Sequence, residues 1–287
     1  MRRAPDGADV TRALDSAVAL VTGAASGLGR AFVLHLRRLG ARVAALDVDA
    51  AGLQQLAAEC TGVPELQVFP CDVTDRAASE AAVERAAAHF GRIDWLVANA
   101  GISHHSALSQ TAPQVIRRVV EVNFFGAVHV TQAALPHLVR SRGVIVAVSS
   151  VAGFSPLVAR TGYAASKHAL HGFFDSLRPE LAPAGVSVTL ACPSFVDTAI
   201  DRHALDGSGA VGRPVARVVV GRPRAAADVA KRICDAARRG RPRVLVGRTA
   251  HLAWWLSRLA PDVYERLMAR RLRAELGAAD RHRNGPG

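Results

Sequence analysis

The chain has 287 residues, half of them hydrophobic, which suits one large α/β domain or two small ones with a sizeable core. Its formal charge of +12 is carried almost wholly by arginine, Lys167 and Lys231 being the lysines. No nucleic-acid motif accompanies that charge. A solvated surface is its commoner origin, with an acidic partner or anionic membrane surface as the alternative for the arginine runs after Arg213.

Residues 1–15 hold no apolar segment of the kind found in signal peptides and read as a flexible tail. From Ala17 the run AVALVT has the continuous apolar character of a strand buried on both faces. TGAASGLG follows, then a helix through RAFVLHLRRLG that stops at Gly40, then a second strand, RVAALD. This βαβ unit is the setting a glycine-rich dinucleotide loop requires. Gly23, Gly27 and Gly29 permit tight turning and close approach of backbone to a pyrophosphate, with Ser26 and Leu28 beside them. The helix start offers unpaired N–H groups and a partial positive charge to phosphates. Asp47 ends the second strand, eighteen residues after Gly29, where a carboxylate accepts from both adenosine ribose hydroxyls and repels a 2′-phosphate. Val48 and Ser26 supply no offsetting cation, so the expected cofactor is NAD and not NADP. The competing role for Asp47 is a cap on the helix of DAAGLQQLAAEC.

LQVFP is a third strand, followed by Asp72 and Val73, with Asp72 placed to bind the adenine amino group. Asp75 begins a helix to Phe90. A fourth strand, IDWLVANAG, ends in Asn99, Ala100 and Gly101, where Gly101 admits a ligand and Asn99 either binds it or braces the turn. Pro113 to Leu138 reads as one long helix interrupted at Asn123–Gly126, since Asn and Gly are both poor choices inside a helix. A kink or freed carbonyl is expected there. GVIVAVSS, a helix from about Tyr163 to Leu181, GVSVTLACP, a helix in ADVAKRICDAARRG and a seventh strand in PRVLVG complete the alternation. The expected fold is a single Rossmann domain, 16–249, on a doubly wound seven-stranded parallel sheet. Gly23, Asp47, Asp72, Asn99, Ser150 and Pro193 all fall at C-terminal strand ends, where such sheets bind ligands.

Chemistry concentrates between Ser150 and Lys167. Tyr163 and Lys167 are four residues apart and share a helix face, and Ser150 precedes Tyr163 by thirteen residues at a strand end. A free phenol is a poor base at neutral pH, and a nearby ammonium stabilises its phenolate. Tyr163 is therefore the expected general acid/base, Ser150 a holder of the substrate oxygen, and Lys167 both the ammonium and a ligand of the nicotinamide ribose.

Together these residues resemble the classical short-chain dehydrogenase/reductase family. The resemblance rests on Thr22–Gly29, Asp72, Asn99–Gly101, Asn123, Ser150, Tyr163–Lys167 and Pro193–Thr198, and spans about 17–247. It implies NAD(P) dependence and a homotetramer or homodimer. It also implies a water held by Asn123 next to Lys167, and Pro193, Val196 and Thr198 along the nicotinamide, with Thr198 on its carboxamide. Two positions depart from the family pattern: Ser194 stands for a usual glycine and Ala98 for a frequent Asn.

Residues 199–224, rich in Gly and Pro, follow the sixth strand and suit a substrate lid or a disordered loop. His104, Phe154, Leu157, Phe195 and Ile200 are the candidate pocket residues; His104 reads more readily as a loop histidine than as a catalyst. Residues 250–278 read as a helical extension split at Pro261, with Trp254, Trp255, Leu259, Leu267 and Leu272 apolar and arginines polar. Packing within the protein or an oligomer interface ranks first for these helices, a cap on the substrate cleft second, and contact with a membrane surface last. Residues 279–287 read as a flexible tail.

Cys60, Cys71, Cys192 and Cys234 form no CxxC pair, which argues for reduced thiols and against a metal site. No apolar run reaches the roughly eighteen residues a membrane span needs, so no span is expected, and the scattered cysteines point to a cytoplasmic location. The expected activity is NAD(H)-dependent interconversion of a secondary alcohol and a ketone on a fairly apolar substrate. A non-catalytic dinucleotide-sensing protein of the same fold and a sugar-nucleotide epimerase are the alternatives. The intact Ser-Tyr-Lys set argues against the first, and the glycine spacing and small C-terminal region against the second.

Overall fold

A computed structural model describes residues 14–211 and 223–270. Seven parallel strands form one sheet: β1 (Val18–Thr22), β2 (Arg42–Asp47), β3 (Leu66–Pro70), β4 (Trp95–Ala98), β5 (Val144–Val148), β6 (Ser187–Pro193) and β9 (Arg243–Val246). Their order across the sheet is β3-β2-β1-β4-β5-β6-β9. The apolar runs are the reason: β1, β4 and β5 are buried along their whole length, as strands covered on both faces must be. Strand order reverses between β1 and β4, and the crevice at that switch point is where an open α/β sheet binds ligands.

Helices cover both faces. One side carries α1 (Gly27–Arg38), α2 (Ala50–Glu59) and α7 (Ala226–Arg238), with Phe32, Val33, Leu36, Leu53 and Ile233 packed on the sheet. The other carries α3 (Arg76–Phe90), α5 (Gly126–Ser141) and α6 (Thr161–Leu181), with Phe90, Leu138, Leu170 and Phe174 in the second core. Asp49 caps α2 by accepting from the Gly52 amide at 2.9 Å, so the capping role considered for Asp47 belongs to its neighbour. Asp75 caps α3 in the same way, at 3.0 Å from the Ala78 amide.

The helix expected over 113–138 is two helices, α4 (Pro113–Val120) and α5, joined by a π-helical turn at Glu121–Phe125. The interruption falls where Asn123 and Gly126 disfavour an α-helix, and such turns concentrate at functional sites. Two further differences from expectation concern the ends of the domain. Leu14, assigned to the N-terminal tail, is buried in the core against the α1 side, while residues 1–13 and 271–287, the latter including Leu272 and the end of the expected helical extension, lie outside the described residues. The C-terminal helices begin earlier than expected, with α8 at Arg248–Leu259, and residues 261–270 are again helical after the break before Pro261. Of the loop at 199–224, residues 212–222 lie outside the described residues. A short parallel pair not foreseen from the sequence, β7 (Val196–Asp197) with β8 (Arg224–Ala225), brings its two ends together.

Candidate active site

A cavity of about 920 Å³ runs along the C-terminal ends of the strands. At one end lies the glycine loop. Gly23 and Gly27 have φ of +65° and +52°, the left-handed region that favours glycine. A Cβ at Gly23 would stand 2.9 Å from Ala100 Cα, and one at Gly27 would stand 3.2 Å from Thr198 Cβ. Gly29 acts differently from its two neighbours. It is set back from the cavity, and its missing Cβ lets α1 lie against the Gly23 carbonyl, which makes it a helix–strand packing residue. Ser26 precedes α1 without a side-chain cap bond, and no acid occupies the first turn, so the positive helix end opens on the cavity.

Asp47 projects from the end of β2 into the same end of the cavity. One oxygen accepts from the Ala25 amide at 2.9 Å and the other from the Asp49 amide at 3.0 Å, which fixes the carboxylate beside the glycine loop. Val48, next to it, is exposed, with no cation at that position. Asp72 and Val73 line the cavity, and Asp72 is oriented by the Thr74 amide and hydroxyl at 2.9 and 2.8 Å. Asn99 lines the cavity and also braces the loop, its amide donating to the Thr22 carbonyl at 2.9 Å. A backbone cradle, a helix N-terminus and a carboxylate at the β2 end together suit a dinucleotide.

At the centre stand Tyr163 and Lys167, on one face of α6 and both nearly enclosed. The ammonium lies 5.7 Å from the Tyr163 ring centroid and donates to the Val148 carbonyl at 3.0 Å. Burial lowers the Lys167 pKa from 10.5 to about 8, so the side chain carries its charge at neutral pH at some desolvation cost. Ser150 and Ser149 both line the cavity. Ser150 sits extended at the end of β5, its hydroxyl accepting from the Ala152 amide at 3.2 Å. Asn123 lies across Gly101 from Lys167. Its amide is tied to the chain after β4, accepting from the Ile102 amide at 2.7 Å and donating to the Ile102 carbonyl and the Ser166 hydroxyl. The π-helical turn thus presents an Asn that fixes the loop after β4.

One supporting residue was missed by the sequence reading. His171 lies one further turn along the Tyr163–Lys167 face, and its Nε2 is 3.0 Å from the Ser149 hydroxyl, which donates to the Lys167 carbonyl at 3.3 Å. Burial, with Arg243 nearby, lowers the His171 pKa to about 4 and keeps the ring neutral. A neutral ring with its proton on Nε2 satisfies both bonds and ties the end of β5 to the lysine turn. The i, i+4, i+8 spacing was its available signal.

Pro193, Ser194, Phe195, Val196, Thr198 and Ile200 line the next part of the cavity. The departure at Ser194 is accommodated by Gly247: a Cβ there would collide with the Ser194 hydroxyl, and its φ of +106° is open to glycine. Leu157 lines the cavity, but two other pocket candidates do not. His104 is fully buried, and its Nε2 accepts from the Gly162 amide at 2.9 Å, so it anchors the start of α6. Phe154 turns away and packs edge-on to Trp254 at 4.9 Å between centroids. His105 and Ser155 take lining positions instead, and the Ser155 hydroxyl is buried without a hydrogen-bond partner among the described residues.

The far wall comes from the C-terminal helices. Thr249, Leu252, Ala253 and Leu256 of α8, with Tyr264, Leu267 and Met268 beyond it, line the cavity. Tyr264 donates to the Pro156 carbonyl at 3.3 Å, and Trp254 lies under the guanidinium groups of Arg258 and Arg243, at 3.1 and 4.5 Å from its ring centroid. The C-terminal helices thus pack within the protein, the role ranked first from the sequence, and in doing so line the cavity. In the loop after β7, Asp201 pairs with Arg160 at 2.8 Å, holding Ile200 and His203 at the cavity edge.

A sequence profile described as short chain dehydrogenase matches residues 17–208. "Dehydrogenase/reductase SDR family member 7B" of Bos taurus is 38% identical over 269 residues, covering 91% of this chain and 82% of the relative. "Dehydrogenase/reductase SDR family protein 7-like" of Anopheles gambiae is 36% identical over 270 residues, covering 91% and 84%. A crystal structure of a short chain dehydrogenase/reductase from Burkholderia phymatum in complex with NAD superposes with a TM-score of 0.78 at 26% identity, covering 88% of this chain and 96% of that one. With the profile matched over most of its domain, this chain belongs to the short-chain dehydrogenase/reductase family, a family of oxidoreductases.

Proposed function

We propose that the protein interconverts a secondary alcohol and a ketone with NAD(H) as its cofactor, on an apolar substrate. The observation that carries this is the pairing of buried Tyr163 and Lys167 on α6, facing a cavity whose other end holds the α1 N-terminus and Asp47. Asp47, fixed by two backbone amides and without an adjacent cation, favours ribose hydroxyls over a 2′-phosphate and hence NAD over NADP. When bound, the nicotinamide accepts or returns the hydride.

The chain's own residues handle the proton. Tyr163 takes it from the substrate hydroxyl in oxidation and gives it back in reduction. The Lys167 ammonium stabilises the phenolate, and with one N–H held by Val148 it keeps two for the phenol and the cofactor ribose. Ser150 holds the substrate oxygen, and the buried Ser155 hydroxyl offers a second polar contact. Leu157, Phe195, Ile200, Leu256 and Met268 supply an apolar wall that excludes water.

The test is a panel of alcohols and ketones assayed with NAD and NADP side by side, on the native chain and on Tyr163→Phe. The expected outcome is turnover with NAD that falls by roughly 10³-fold in the variant, with NADH binding unchanged. Turnover undiminished in Tyr163→Phe sinks the proton-transfer role, and NADH binding without turnover across the whole panel favours a sensing protein.

A further inference from the structure

We propose that the outer face of α8 and residues 261–270 docks on an anionic lipid surface, with the cavity mouth opening against it. The observation is a stripe of large apolar side chains facing solvent. Leu252, Trp255 and Leu259 are 64%, 59% and 76% exposed, and Val263 and Leu267 continue the stripe past the break before Pro261. The three on α8 fall at i, i+3 and i+7, one helix face. Their neighbour Trp254 points the other way, into Phe154 and Arg243, so the helix has two apolar faces and uses one to hold the domain.

Leu252 and Leu267 belong both to this exposed stripe and to the cavity wall. The outer apolar surface therefore runs without a break into the proposed substrate site. Against a lipid phase, that continuity gives an apolar molecule a route that avoids water. Arg248, Arg266 and Arg270 are exposed on the same two segments, where they outnumber the acids Asp262 and Glu265, while Arg258 turns its guanidinium inward onto Trp254. The whole chain carries +12. Basic residues flanking an apolar stripe match an anionic headgroup layer, and tryptophan suits the interface depth.

The charge also decides against the other natural occupant, a second copy of this chain. Two faces that each carry arginines on a +12 protein repel, and such a contact would close the mouth. No helix among the described residues is long and apolar enough to cross a membrane, so the contact is one of lying on the surface. Docking needs no turnover, and its test stands apart from the proposed reaction.

The experiment uses the full chain with phosphatidylcholine vesicles, with and without phosphatidylglycerol, read by co-sedimentation and tryptophan fluorescence. Trp95 is buried in β4 and Trp254 is stacked between side chains, so the emission change reports Trp255. The native chain is expected to partition onto phosphatidylglycerol vesicles with a blue shift, and to release as salt is raised. Trp255→Ser with Leu259→Ser is expected to weaken partitioning at least about tenfold. Arg266→Glu with Arg270→Glu keeps the apolar stripe and is expected to remove the preference for phosphatidylglycerol. Circular dichroism and NADH binding confirm that both variants are folded. The proposal is overturned if the native chain stays with the supernatant at low salt, or if neither double variant changes partitioning. It is equally overturned if the Trp255/Leu259 variant converts a dimer to monomer in sedimentation equilibrium while lipid binding is absent.

Discussion

The two ends of the cavity are built on different physical principles. The cofactor end is made of backbone. Gly23, Gly27 and Gly29 set how closely strands, helix and ligand approach, and Asp47 is clamped by two amides. The opposite end, the proposed substrate end, is made of side-chain area. Leu252, Leu256, Leu267 and Met268 form a wall whose position depends on Trp254 packing against Phe154 and two arginines. A backbone site tolerates almost no change and accepts one ligand shape. A wall of flexible apolar side chains can be repacked around ligands of different shape.

That contrast can be broken by exchange of single side chains. The largest effect belongs to Gly29→Val, whose Cβ would collide with the Gly23 carbonyl, backbone against backbone. The α1–β1 contact must open, so a stability loss above about 3 kcal/mol and loss of NADH binding are expected, read from urea midpoints and fluorescence titration. A near-native midpoint would show that the cofactor end is softer than described. Trp254→Ala acts at the other end and removes one aromatic contact and two guanidinium stacks, worth about 2 kcal/mol together. It should raise KM for bulky apolar substrates and leave NADH affinity alone. An equal loss for small and large substrates would mean that α8 does not shape the pocket.

Asp47→Ala sharpens the description of the cofactor end. Removing a carboxylate beside the ribose is expected to shift relative kcat/KM toward NADP by at least about tenfold. An unchanged ratio would return Asp47 to a purely structural role. The smallest effect at neutral pH comes from His171, which lies between the two ends. Its native pKa of about 4 is below the ordinary 6.5, so within that window the unfolded chain binds a proton that the native one does not. The contribution of the neutral His171 ring to stability is therefore fully present above pH 6.5 and is lost as pH falls toward 4. The decline should be shallower in His171→Asn, measured as urea midpoints against pH; parallel curves would remove His171 from the support of Lys167.

Much of the fold was legible in the sequence. Buried strands announce themselves as continuous apolar runs, and glycines crowded between a strand and a helix mark a close approach of backbone to backbone or to ligand. Hence β1 through β6 and β9 lie where the pattern put them. His104 and Phe154 illustrate the limit. Both sit in loops near the site, and sequence distance cannot say which way a loop side chain turns. His104 went inward to hold the Gly162 amide, and Phe154 outward to meet Trp254. The β7–β8 pair was equally hidden, because its strands are two residues long and separated by the whole loop.

The sequence by itself determined the fold class and the order of strands and helices. It also determined the spacing that sets Tyr163 and Lys167 on one face of α6 and Ser150 at the end of β5, all three on one cavity. Those features follow from local periodicity and from residues a few positions apart, which the helix repeat and strand ends convert directly into geometry. The tertiary structure decided three others: that Gly247 makes room for Ser194, that His171 supports the lysine turn, and that α8 with residues 261–270 walls the cavity while exposing a second apolar face. Gly247–Ser194 and the cavity wall depend on contacts between residues far apart in the chain, chosen by packing and without a periodic trace; His171 shares the periodic face of Tyr163 and Lys167, but its bond to Ser149 across to β5 is likewise set by packing.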